Sequence, residues 1–477
     1  MSAVPLLDAA TLAAAGRAPP VPFRIASADG ELTMRHLLRV LPGKRVVGEA
    51  MLNGRPVLAK LFVGRNAERH WRREHEGIAA LLARGIPTPA LRASAALPAG
   101  GYLLLTDFVP DASTLADDWR ALPRAAPGEA TALAVLRPAY ALLGRMHAQG
   151  LVQEDLHLGN FLRAGETVQV IDGDSVRALP AAMPLPAKDA QRNLAILLAQ
   201  LPAAWDASLD ALLAPYRAEY PQASSDRSGL LREVARIRDW RLQDYLAKTV
   251  RDCSLFAVER NLRCFSAVLR SQALRLHALM DDPDVAMAAG EMLKDGNTCT
   301  VVRVAVNGGP VIVKRYNIKD LSHALSRSWR PSRGWHSWRE AHRLKFLGIS
   351  TPAPLAIVEE RLGPLRRRAW LVTEFCDGAD LAARWRPDAL PPSEETSGLL
   401  DMVSRMRQAK VSHGDFKATN LIWHDGEIVV IDLDAMVQHR TDEAYRKAWR
   451  RDRARLLRNW PADSVLVRWL DANLPSA

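Results

Sequence analysis

The stretch KVSHGDFKATNLIWHDGEIVVIDLDAM, residues 410–436, sets three acids and an amide among apolar runs that alternate as strands do. The polar side chains are Asp415, Asn420, Asp432 and Asp434. Burying an unpaired carboxylate in an apolar environment is costly, so these groups need a cation or a bound ligand nearby. The pattern therefore indicates a functional site.

A second stretch repeats this spacing. LVQEDLHLGNFLRAGETVQVIDGD, residues 151–174, carries Asp155, Asn160, Asp172 and Asp174. In both stretches the first aspartate precedes the asparagine by five residues, and the asparagine precedes the next aspartate by twelve. Equal intervals in the same order favour an internal duplication over coincidence.

The residues upstream of each stretch also correspond. GRPVLAKLFV alternates apolar residues around Lys60 as a strand does, and GGPVIVKRYN does the same around Lys314. A helix is predicted after each strand, carrying Glu74 in the first half and Glu340 in the second, and ending at a glycine before a Thr-Pro turn. The chain thus reads as two copies of strand, helix, strand and polar cluster.

Composition places the chain among ordinary soluble globular proteins, with 48% hydrophobic and 25% charged residues. The N-terminus lacks a signal-peptide pattern and no run of about 18 apolar residues occurs, so we expect a cytoplasmic protein without a membrane-spanning helix. The net charge is +11, with 53 Arg against 11 Lys. Arginine suits phosphate and carboxylate binding, but GC-rich codon usage produces the same bias, so the charge only weakly indicates an anionic partner.

The second cluster contains parts that phosphoryl transfer from ATP requires, namely metal ligands and an acceptor for the proton of the attacking hydroxyl. Asp415 is the candidate base. Asn420 and Asp432 offer hard oxygen ligands that suit Mg2+. Lys417, two residues after the base, is placed to neutralise charge that develops on the transferred group.

A cation on the nucleotide phosphates is the remaining requirement. Lys314 on its strand is the candidate, held by a predicted ion pair with Glu340 on the following helix. The segments LPGKRVVGEA and LKDGNTCTVV precede the two lysine strands. Each has one glycine near its turn, which is a weak signal for a loop that covers phosphates.

The pattern H-G-D-x-x-x-x-N followed by V-I-D resembles the catalytic and metal-binding loops of the protein-kinase-like fold. Asp432-Leu433-Asp434 replaces Asp-Phe-Gly, and no Ala-Pro-Glu follows, which points to small-molecule and sugar kinases. VIVKRYN and the helix after it, together with HGDFKATNL and VIDLDAM, are similar to the lipopolysaccharide core kinases of the Kdo/WaaP type. Those cytoplasmic enzymes phosphorylate heptose or Kdo in the inner core.

The resemblance implies an α+β protein of two tandem protein-kinase-like domains, each with a small β-rich N-lobe and a helical C-lobe. We expect an N-terminal extension over 1–30, a first domain over 31–285 whose residues from about 175 onward are largely helical, and a second domain over 286–477. The implied cofactors are ATP and Mg2+. In the second domain Asp415 is implied as base, Asn420 and Asp432 as metal ligands, and Lys314 with Glu340 at the nucleotide.

The first half departs from the family pattern. QED replaces HGD, so Gln153 stands where the second half has His413, and His157 stands where it has Lys417. Catalysis by this half and a nucleotide-binding or silent structural role both stay open, and Glu76 rivals Glu74 as the partner of the lysine. The implied residues are Asp155 as base, Asn160 and Asp172 as metal ligands, and Lys60 with Glu74 at the nucleotide.

The spacing between lysine and helical glutamate separates the two halves, because it is 14 residues in the first and 26 in the second. The extra length, LSHALSRSWRPSRGWHSW, interleaves Arg327, Arg330 and Arg333 with tryptophans. Such a segment suits an anionic glycolipid or membrane surface, so we expect peripheral contact with the inner face of the inner membrane. Nucleic acid is the competing polyanion, but no recognition motif supports it.

Three functions follow from these patterns. The first is ATP-dependent phosphorylation of a sugar hydroxyl, heptose or Kdo, in the lipopolysaccharide inner core. A protein Ser/Thr kinase is the enzymatic alternative, although the few residues between Asp434 and the segment TDEAYRKAW are short for a peptide-binding activation segment. A paired pseudokinase scaffold in lipopolysaccharide assembly is the alternative from another class. The sequence names neither the sugar nor the oligomeric state.

Overall fold

The computed structural model describes residues 4–122, 126–180, 183–317, 331–363 and 365–476. The chain divides into two compact units, Met1–Arg238 and Asp239–Ala477. Each unit is mixed α/β, with an antiparallel sheet that carries the lysine strand and a largely helical region that carries the polar cluster.

The first unit contains a six-stranded antiparallel sheet of order β1-β2-β3-β4-β6-β5 and two smaller sheets, β10-β9-β7 and β11-β8. Its elements are, in chain order, α1 (Ala9–Ala14), β1 (Phe23–Ser27), β2 (Gly30–Leu41), β3 (Arg45–Leu52), β4 (Arg55–Phe62), α2 (Ala67–Ala83), β5 (Leu91–Ala96), β6 (Tyr102–Asp107), β7 (Ser113–Thr114), α3 (Leu115–Ala121), α4 (Ala130–Ala148), β8 (Leu151–Gln153), β9 (Phe161–Ala164), β10 (Thr167–Val170), β11 (Val176–Ala178), α5 (Ala187–Leu198), α6 (Leu209–Glu219) and the first part of α7 (Arg227–Lys248), which continues beyond Arg238.

The helical region of the first unit is built around α4, whose apolar face is buried against α6 and the hairpin β9–β10. Leu136, Tyr140 and Leu143 are fully buried in this core. The two helices approach closely at Gly144, where an added Cβ would lie 2.5 Å from the backbone oxygen of Tyr216. Close packing of this kind positions β8 and the loop after it, which carries the first polar cluster.

The second unit contains a seven-stranded antiparallel sheet of order β12-β13-β17-β18-β16-β15-β14 and two hairpin-sized sheets, β19-β22 and β20-β21. Its elements are, in chain order, β12 (Phe256–Arg260), β13 (Cys264–Leu269), α8 (Ala273–Asp281), α9 (Pro283–Ala288), β14 (Glu291–Asp295), β15 (Cys299–Val304), β16 (Val311–Tyr316), α10 (Arg333–Phe346), β17 (Pro354–Leu362), β18 (Leu365–Glu374), α11 (Leu381–Arg384), α12 (Ser393–Gln408), β19 (Val411–Ser412), β20 (Leu421–His424), β21 (Glu427–Val430), β22 (Val437–Gln438), α13 (Asp442–Leu457) and α14 (Val465–Asn473).

The elements predicted around the two lysines are confirmed. Lys60 lies on β4 and Lys314 on β16, and the helices α2 and α10 follow them. Both helices end before a glycine with positive φ, Gly85 at +66° and Gly348 at +69°. Glycine occupies this backbone region without the steric cost of a Cβ, which is why it ends helices in this way.

The segment between the two predicted domains differs from expectation. β12 and β13, expected within a largely helical connector of the first domain, form a hairpin, and β13 pairs with β17 of the second unit. Phe256 and Phe265 bury their rings in the core of that unit. Main-chain hydrogen bonds and this apolar burial assign the hairpin to the second unit, so the compact units divide at Arg238 rather than near 285.

Within the described residues, no helix has both the length and the apolar character that crossing a bilayer demands. The four cysteines are free thiols.

Candidate active site

The catalytic-loop candidate of the second unit runs from β19 to β20. Asn420 Nδ2 donates to the backbone oxygen of Asp415 at 2.9 Å, and the backbone oxygen of Asn420 accepts from Ile431 N at 3.0 Å. These bonds tie the loop to the end of β21 and leave Asn420 Oδ1 for other ligands, because the amide nitrogen is already committed. Asp415, Asn420 and Asp432 are thereby held in one region, as the sequence predicted.

His413 stabilises this loop through hydrogen bonds of its ring. Its Nδ1 accepts from Asp415 N at 3.2 Å, so Nε2 carries the proton and donates to the backbone oxygen of Ile431 at 2.9 Å. Burial lowers the pKa of His413, so the ring is neutral. Asp452 on α13 accepts from the backbone nitrogens of His413 and Gly414 at 2.7 and 3.0 Å, which fixes the loop to the helix.

Asp415, the candidate base, contacts two cations. Lys417 Nζ lies 3.0 Å from Oδ2, and Arg455 on α13 binds Oδ1. Burial by itself raises the pKa of Asp415, but the hydrogen bonds and charges of Lys417 and Arg455 outweigh it, and the net pKa lies below the ordinary value. The carboxylate is therefore ionised at neutral pH. Arg455 was missed in the sequence, where it is one of several arginines on an amphipathic helix.

Lys314 binds two carboxylates of the second cluster. Its Nζ lies 2.5 Å from Asp432 Oδ1 and 3.0 Å from Asp434 Oδ1. Glu340 instead pairs with Arg343 on its own helix, at 2.8 Å, so the predicted Lys314–Glu340 ion pair is not formed.

The reason for this correction is the position of Glu340 along α10. Glu74 stands eleven residues before the helix-ending glycine of the first half, whereas the residue eleven before Gly348 is Ser337. Glu340 lies about one helical turn farther on, on a different part of the helix. Counting back from the glycine, rather than choosing the acid within the helix, would have found Ser337.

Asp434 takes over the anchoring of Lys314. Its Oδ1 also accepts from Tyr316 Oη at 2.8 Å and Ser337 Oγ at 2.7 Å, and its Oδ2 accepts from Arg333 Nη2 at 2.6 Å. Burial raises the pKa of Asp434, but the charge of Lys314 and the hydrogen bonds from Ser337 and Arg333 outweigh it and place the pKa at about 2. The sequence identified Asp434 as part of the cluster without giving it a role.

The first unit has the lysine pairing that the second lacks. Lys60 Nζ binds Glu74 Oε1, while Glu76 is exposed. Lys60 Nζ also lies 3.7 Å from Asp172 Oδ1. Burial raises the pKa of Glu74. Burial also raises the pKa of Asp172, but the charges of Lys60 and Arg45 outweigh it and the net pKa is lowered.

The loop of the first unit follows the same hydrogen-bond plan. Asn160 Nδ2 donates to the backbone oxygen of Asp155 at 3.0 Å, and Ile171 N donates to the backbone oxygen of Asn160 at 2.8 Å. Gln153 Nε2 donates to the backbone oxygens of Ile171 and Asp172 at 3.2 and 3.1 Å. The Gln153 amide therefore makes the contact that His413 makes in the other unit.

The two units differ at the candidate base. Asp155 is exposed, and no ion pair to it is formed within the described residues, whereas Asp415 contacts Lys417 and Arg455. His157 lies immediately before the short turn Leu158–Asn160. The first loop thus has the backbone support of the second but not its cationic surroundings.

Asp172 and Asp432 share an unusual backbone. Their φ angles are +71° and +60°, in the left-handed region that residues other than glycine seldom adopt. Such conformations cost about 1–3 kcal/mol and persist where the surroundings impose them, which is typical of functional sites. Both candidate metal ligands are turned in the same way out of the strand that precedes them.

The donor set of each loop fits Mg2+ held together with a nucleotide. No group of three or more His, Cys, Asp or Glu side chains forms a metal cage in the parts of the chain that the structure describes. Mg2+ bound with a nucleotide usually takes only one or two protein oxygens, and phosphate oxygens and waters complete its octahedron. Asn420 with Asp432, and Asn160 with Asp172, supply such pairs. Asp172 Oδ1 is buried without a hydrogen-bond partner, which leaves it for a cation.

The insert of the second half lies largely outside the described residues. Arg327, Trp329 and Arg330 fall there. Arg333 binds Asp434, Trp338 is fully buried, and the Trp335 ring lies tilted against the Phe265 ring at a centroid distance of 4.7 Å. In the described end of the insert, Trp335 and Trp338 therefore pack within the unit, which corrects the expectation for these two tryptophans; the prediction for Arg327, Trp329 and Arg330 falls outside the described residues.

Comparison with known proteins finds a matching family model, a matching curated protein and similar solved structures. Residues 285–472 match the model of the lipopolysaccharide kinase (Kdo/WaaP) family. The RIO-type serine/threonine-protein kinase Rio1 of Haloferax volcanii is 30% identical over 126 residues, which are 26% of this chain and 40% of the relative. The chain thus spans less than half of that curated relative's length. A solved structure of WaaP in complex with acyl carrier protein is 19% identical and covers 43% of this chain and 87% of its own, with a TM-score of 0.30.

The family model covers β15, β16, α10 and the whole loop from His413 to Asp434, which are the elements that hold Lys314, Asp415, Asn420 and Asp432. By this match, residues 285–472 are similar to the lipopolysaccharide kinase (Kdo/WaaP) family, a family of kinases.

Proposed function

We propose that the second unit transfers the γ-phosphoryl group of ATP to a sugar hydroxyl, of heptose or Kdo, in the lipopolysaccharide inner core. The observation that carries the proposal is the convergence of Lys314 with Asp432 and of Asn420 with Asp415, inside the region that matches the kinase family. Mg2+-bound ATP would supply the phosphoryl group and a metal ion that Asn420 and Asp432 would hold.

Asp415 acts on the acceptor in this proposal. The sugar oxygen forms a bond to the γ-phosphorus, the bond from that phosphorus to the bridging oxygen of ADP breaks, and the hydroxyl proton passes to Asp415. The two cations on Asp415 keep it ionised and therefore able to accept that proton. Because these cations also make it a weak base, its main contribution is to orient the hydroxyl.

Lys314 and Asp434 act on the nucleotide side. Asp434 holds the side chain of Lys314, which lies within β16, and Ser337 and Tyr316 donate hydrogen bonds to Asp434 in turn. A lysine restrained in this way meets the phosphates without first losing its rotamer freedom, which preserves binding energy. Asp434 thus anchors the site lysine of the second unit, as the helical Glu74 anchors Lys60 in the first unit.

We propose that the first unit is a diverged copy of the same kinase-like domain and binds nucleotide. The Lys60–Glu74 pair and the loop built by Asn160 and Gln153 support this reading. Asp155 is exposed and, among the described residues, lacks the ion pairs that Asp415 makes, which favours binding over catalysis. The two copies together would make the tandem arrangement that the repeated spacing predicts.

The test is phosphate transfer from labelled ATP to purified inner-core lipopolysaccharide by the full chain, with Asp415→Asn and Asp155→Asn beside it. We expect label in the glycolipid that falls at least a hundredfold in Asp415→Asn and stays within about twofold in Asp155→Asn, because loss of a general base costs about 10²–10⁴ in rate. ATP affinity should be unchanged in both variants. Equal transfer by the wild type and Asp415→Asn would refute the assignment of the base.

A protein acceptor is the second candidate, favoured by the match to a serine/threonine-protein kinase. Labelling of a protein fraction in place of the glycolipid would select it. ATP binding without transfer to either acceptor would select the scaffold. Location at the inner face of the inner membrane belongs to the glycolipid proposal, and binding of the full chain to anionic vesicles tests it.

A further inference from the structure

The lysine strand of the first unit brings a second cation to the same site. In the register of β3 with β4, Val47 lies opposite Lys60 and Arg45 lies opposite Phe62. The Arg45 guanidinium sits 5.8 Å from the centroid of the Phe62 ring. Its Nη1 lies 3.3 Å from Glu74 Oε2, so Arg45 and Lys60 share one carboxylate.

The second unit has the same strand register with a different residue opposite the ring. Val301 lies opposite Lys314 and Cys299 lies opposite Tyr316. Two cations lie over this ring, Lys314 with its Nζ 5.1 Å from the Tyr316 centroid and Arg333 with its guanidinium 5.5 Å from it. Arg333 comes from the first turn of α10, and its Nη2 is 2.6 Å from Asp434 Oδ2.

The two arginines therefore occupy equivalent places in the two sites, although they come from sequence positions that are not equivalent. The strand position of Arg45 is Cys299 in the second unit. Counted from the helix-ending glycines, the helix position of Arg333 is His70 in the first. Each arginine stands over the aromatic ring two residues after the site lysine, and each binds the carboxylate that anchors that lysine. An equivalent cation supplied by two different elements indicates a shared requirement of the two sites.

The charges of each site explain what that requirement is. The first site holds Lys60 and Arg45 against Glu74 and Asp172, so it is balanced without a ligand. The second holds Lys314 and Arg333 against Asp432 and Asp434 and is balanced in the same way. When one aspartate of a site binds a metal ion, the lysine and the arginine face only one remaining carboxylate. The site then carries excess positive charge, which a bound anion can neutralise.

Both guanidiniums have donors to spare. Arg45 makes one hydrogen bond with the described residues, through Nη1, and its Nε is buried without a partner. Arg333 likewise makes one, through Nη2, and its side chain is 44% exposed. A guanidinium offers five N–H donors, so each could bind a phosphate through two of them while keeping its carboxylate.

We propose that Arg45 and Arg333 are phosphate-binding residues, and that each unit holds the polyphosphate of a nucleotide between one lysine and one arginine. This inference rests on the proposed function for the identity of the ligand. The guanidiniums lie over the Phe62 and Tyr316 rings at 5.8 and 5.5 Å, within reach of a cation–π contact, and a planar guanidinium can also offer two donors to one phosphate, which a lysine ammonium cannot do in the same geometry.

The experiment measures binding of ATP with Mg2+ and of adenosine to the full chain by calorimetric titration. Arg333→Gln is compared with native Arg333 in chains that carry Lys60→Met. Arg45→Gln is compared with native Arg45 in chains that carry Lys314→Met, so that binding at one site is measured at a time. We expect ATP affinity to fall about tenfold or more, the scale of a lost charge-assisted bidentate contact, and adenosine affinity to stay within twofold. Arg→Lys at either position should recover part of the loss for ATP.

Arg303→Gln is the matched control. Arg303 lies on β15 of the same sheet, stacks 4.3 Å from the Phe375 centroid and pairs with Glu291 at 3.4 Å, but contacts no residue of the site. It should leave both affinities unchanged. Equal losses of ATP and adenosine affinity in Arg333→Gln or Arg45→Gln would show a merely structural role, and unchanged ATP affinity would show no contact; either overturns the inference.

Failure of the proposed function gives a different pattern. If the wild type binds ATP and the arginine variants lose ATP affinity, but no phosphate is transferred, the phosphate site is supported and the proposed kinase activity is refuted. If the wild type binds adenosine and ATP equally at both sites, the phosphate site itself is refuted whatever the transfer assay yields.

Discussion

Replacing Asp434 by asparagine removes the charge that anchors Lys314 while keeping the size of the side chain. In the native protein Asp434 is 14% exposed, contacts Lys314 and Arg333, and has its pKa lowered from 3.8 to about 2. Each unit of pKa shift corresponds to about 1.4 kcal/mol of preferential stabilisation of the charged form. The free energy of unfolding should therefore fall by about 2 kcal/mol in Asp434→Asn at pH 7.

The pH dependence of this difference follows from linkage. Because folding lowers the pKa of Asp434, its charge stabilises the fold above about pH 4, where the unfolded aspartate is also ionised. The stabilisation is lost as the pH falls through about 2, the folded value. The difference between wild type and Asp434→Asn should thus be full at pH 7 and shrink progressively below pH 4.

Denaturant unfolding at pH 7, 4 and 3 measures this difference, with Asp388→Asn as the control. Asp388 is exposed and makes no ion pair within the described residues, so its replacement should change the free energy of unfolding by less than about 0.5 kcal/mol. A Asp434→Asn variant as stable as the wild type at pH 7, or a difference that grows below pH 4, would refute the reasoning that Asp434 is a buried, charge-paired anchor.

Three further predictions concern single residues. Glu340→Gln should leave ATP affinity within about twofold, because Glu340 pairs with Arg343 and not with Lys314. Loss of that buried pair should lower the free energy of unfolding by about 1–3 kcal/mol. A large loss of ATP affinity would show instead that Glu340 acts at the nucleotide site. Arg455→Gln removes a cation that lowers the pKa of its carboxylate partner, so the acid limb of the kcat/KM profile should move to higher pH, and an unmoved limb would contradict this. Gly144→Ala places a Cβ 2.5 Å from a backbone oxygen and should cost about 1–3 kcal/mol of stability in denaturant melts, whereas Gly398→Ala, 3.4 Å from a side chain, should not; equal effects would count against the close packing of α4 on α6.

The local features of the site could be predicted from the sequence because they depend on short intervals. The loop from Asp415 to Asn420 closes on itself through a hydrogen bond five residues apart, and the same interval recurs at Asp155 and Asn160. The apolar pattern of each lysine strand is also local, because it can be read from the few residues of the strand itself. The helix ends at Gly85 and Gly348 were likewise local.

The hairpin β12–β13 was predicted as helical because its neighbours are strongly helical and its strands are short. FAVER and CFSAVL contain the apolar and β-branched residues of strands, but a run of five or six residues is ambiguous without its partner. Its pairing with β17, about 90 residues later, decides the conformation. Nothing within the hairpin itself specifies that pairing.

By itself the sequence determined the repeated spacing, the strand and helix that carry each lysine, and the residues that form the candidate catalytic and metal-binding loop. Only the tertiary structure decided that Asp434 rather than Glu340 anchors Lys314, that Arg455 reaches Asp415, and that arginines from different elements stand over corresponding rings. The physical reason is that an ion pair needs its two charges within about 4 Å, and which charges of many along a helix meet that distance depends on how the helix is rotated and packed on the sheet.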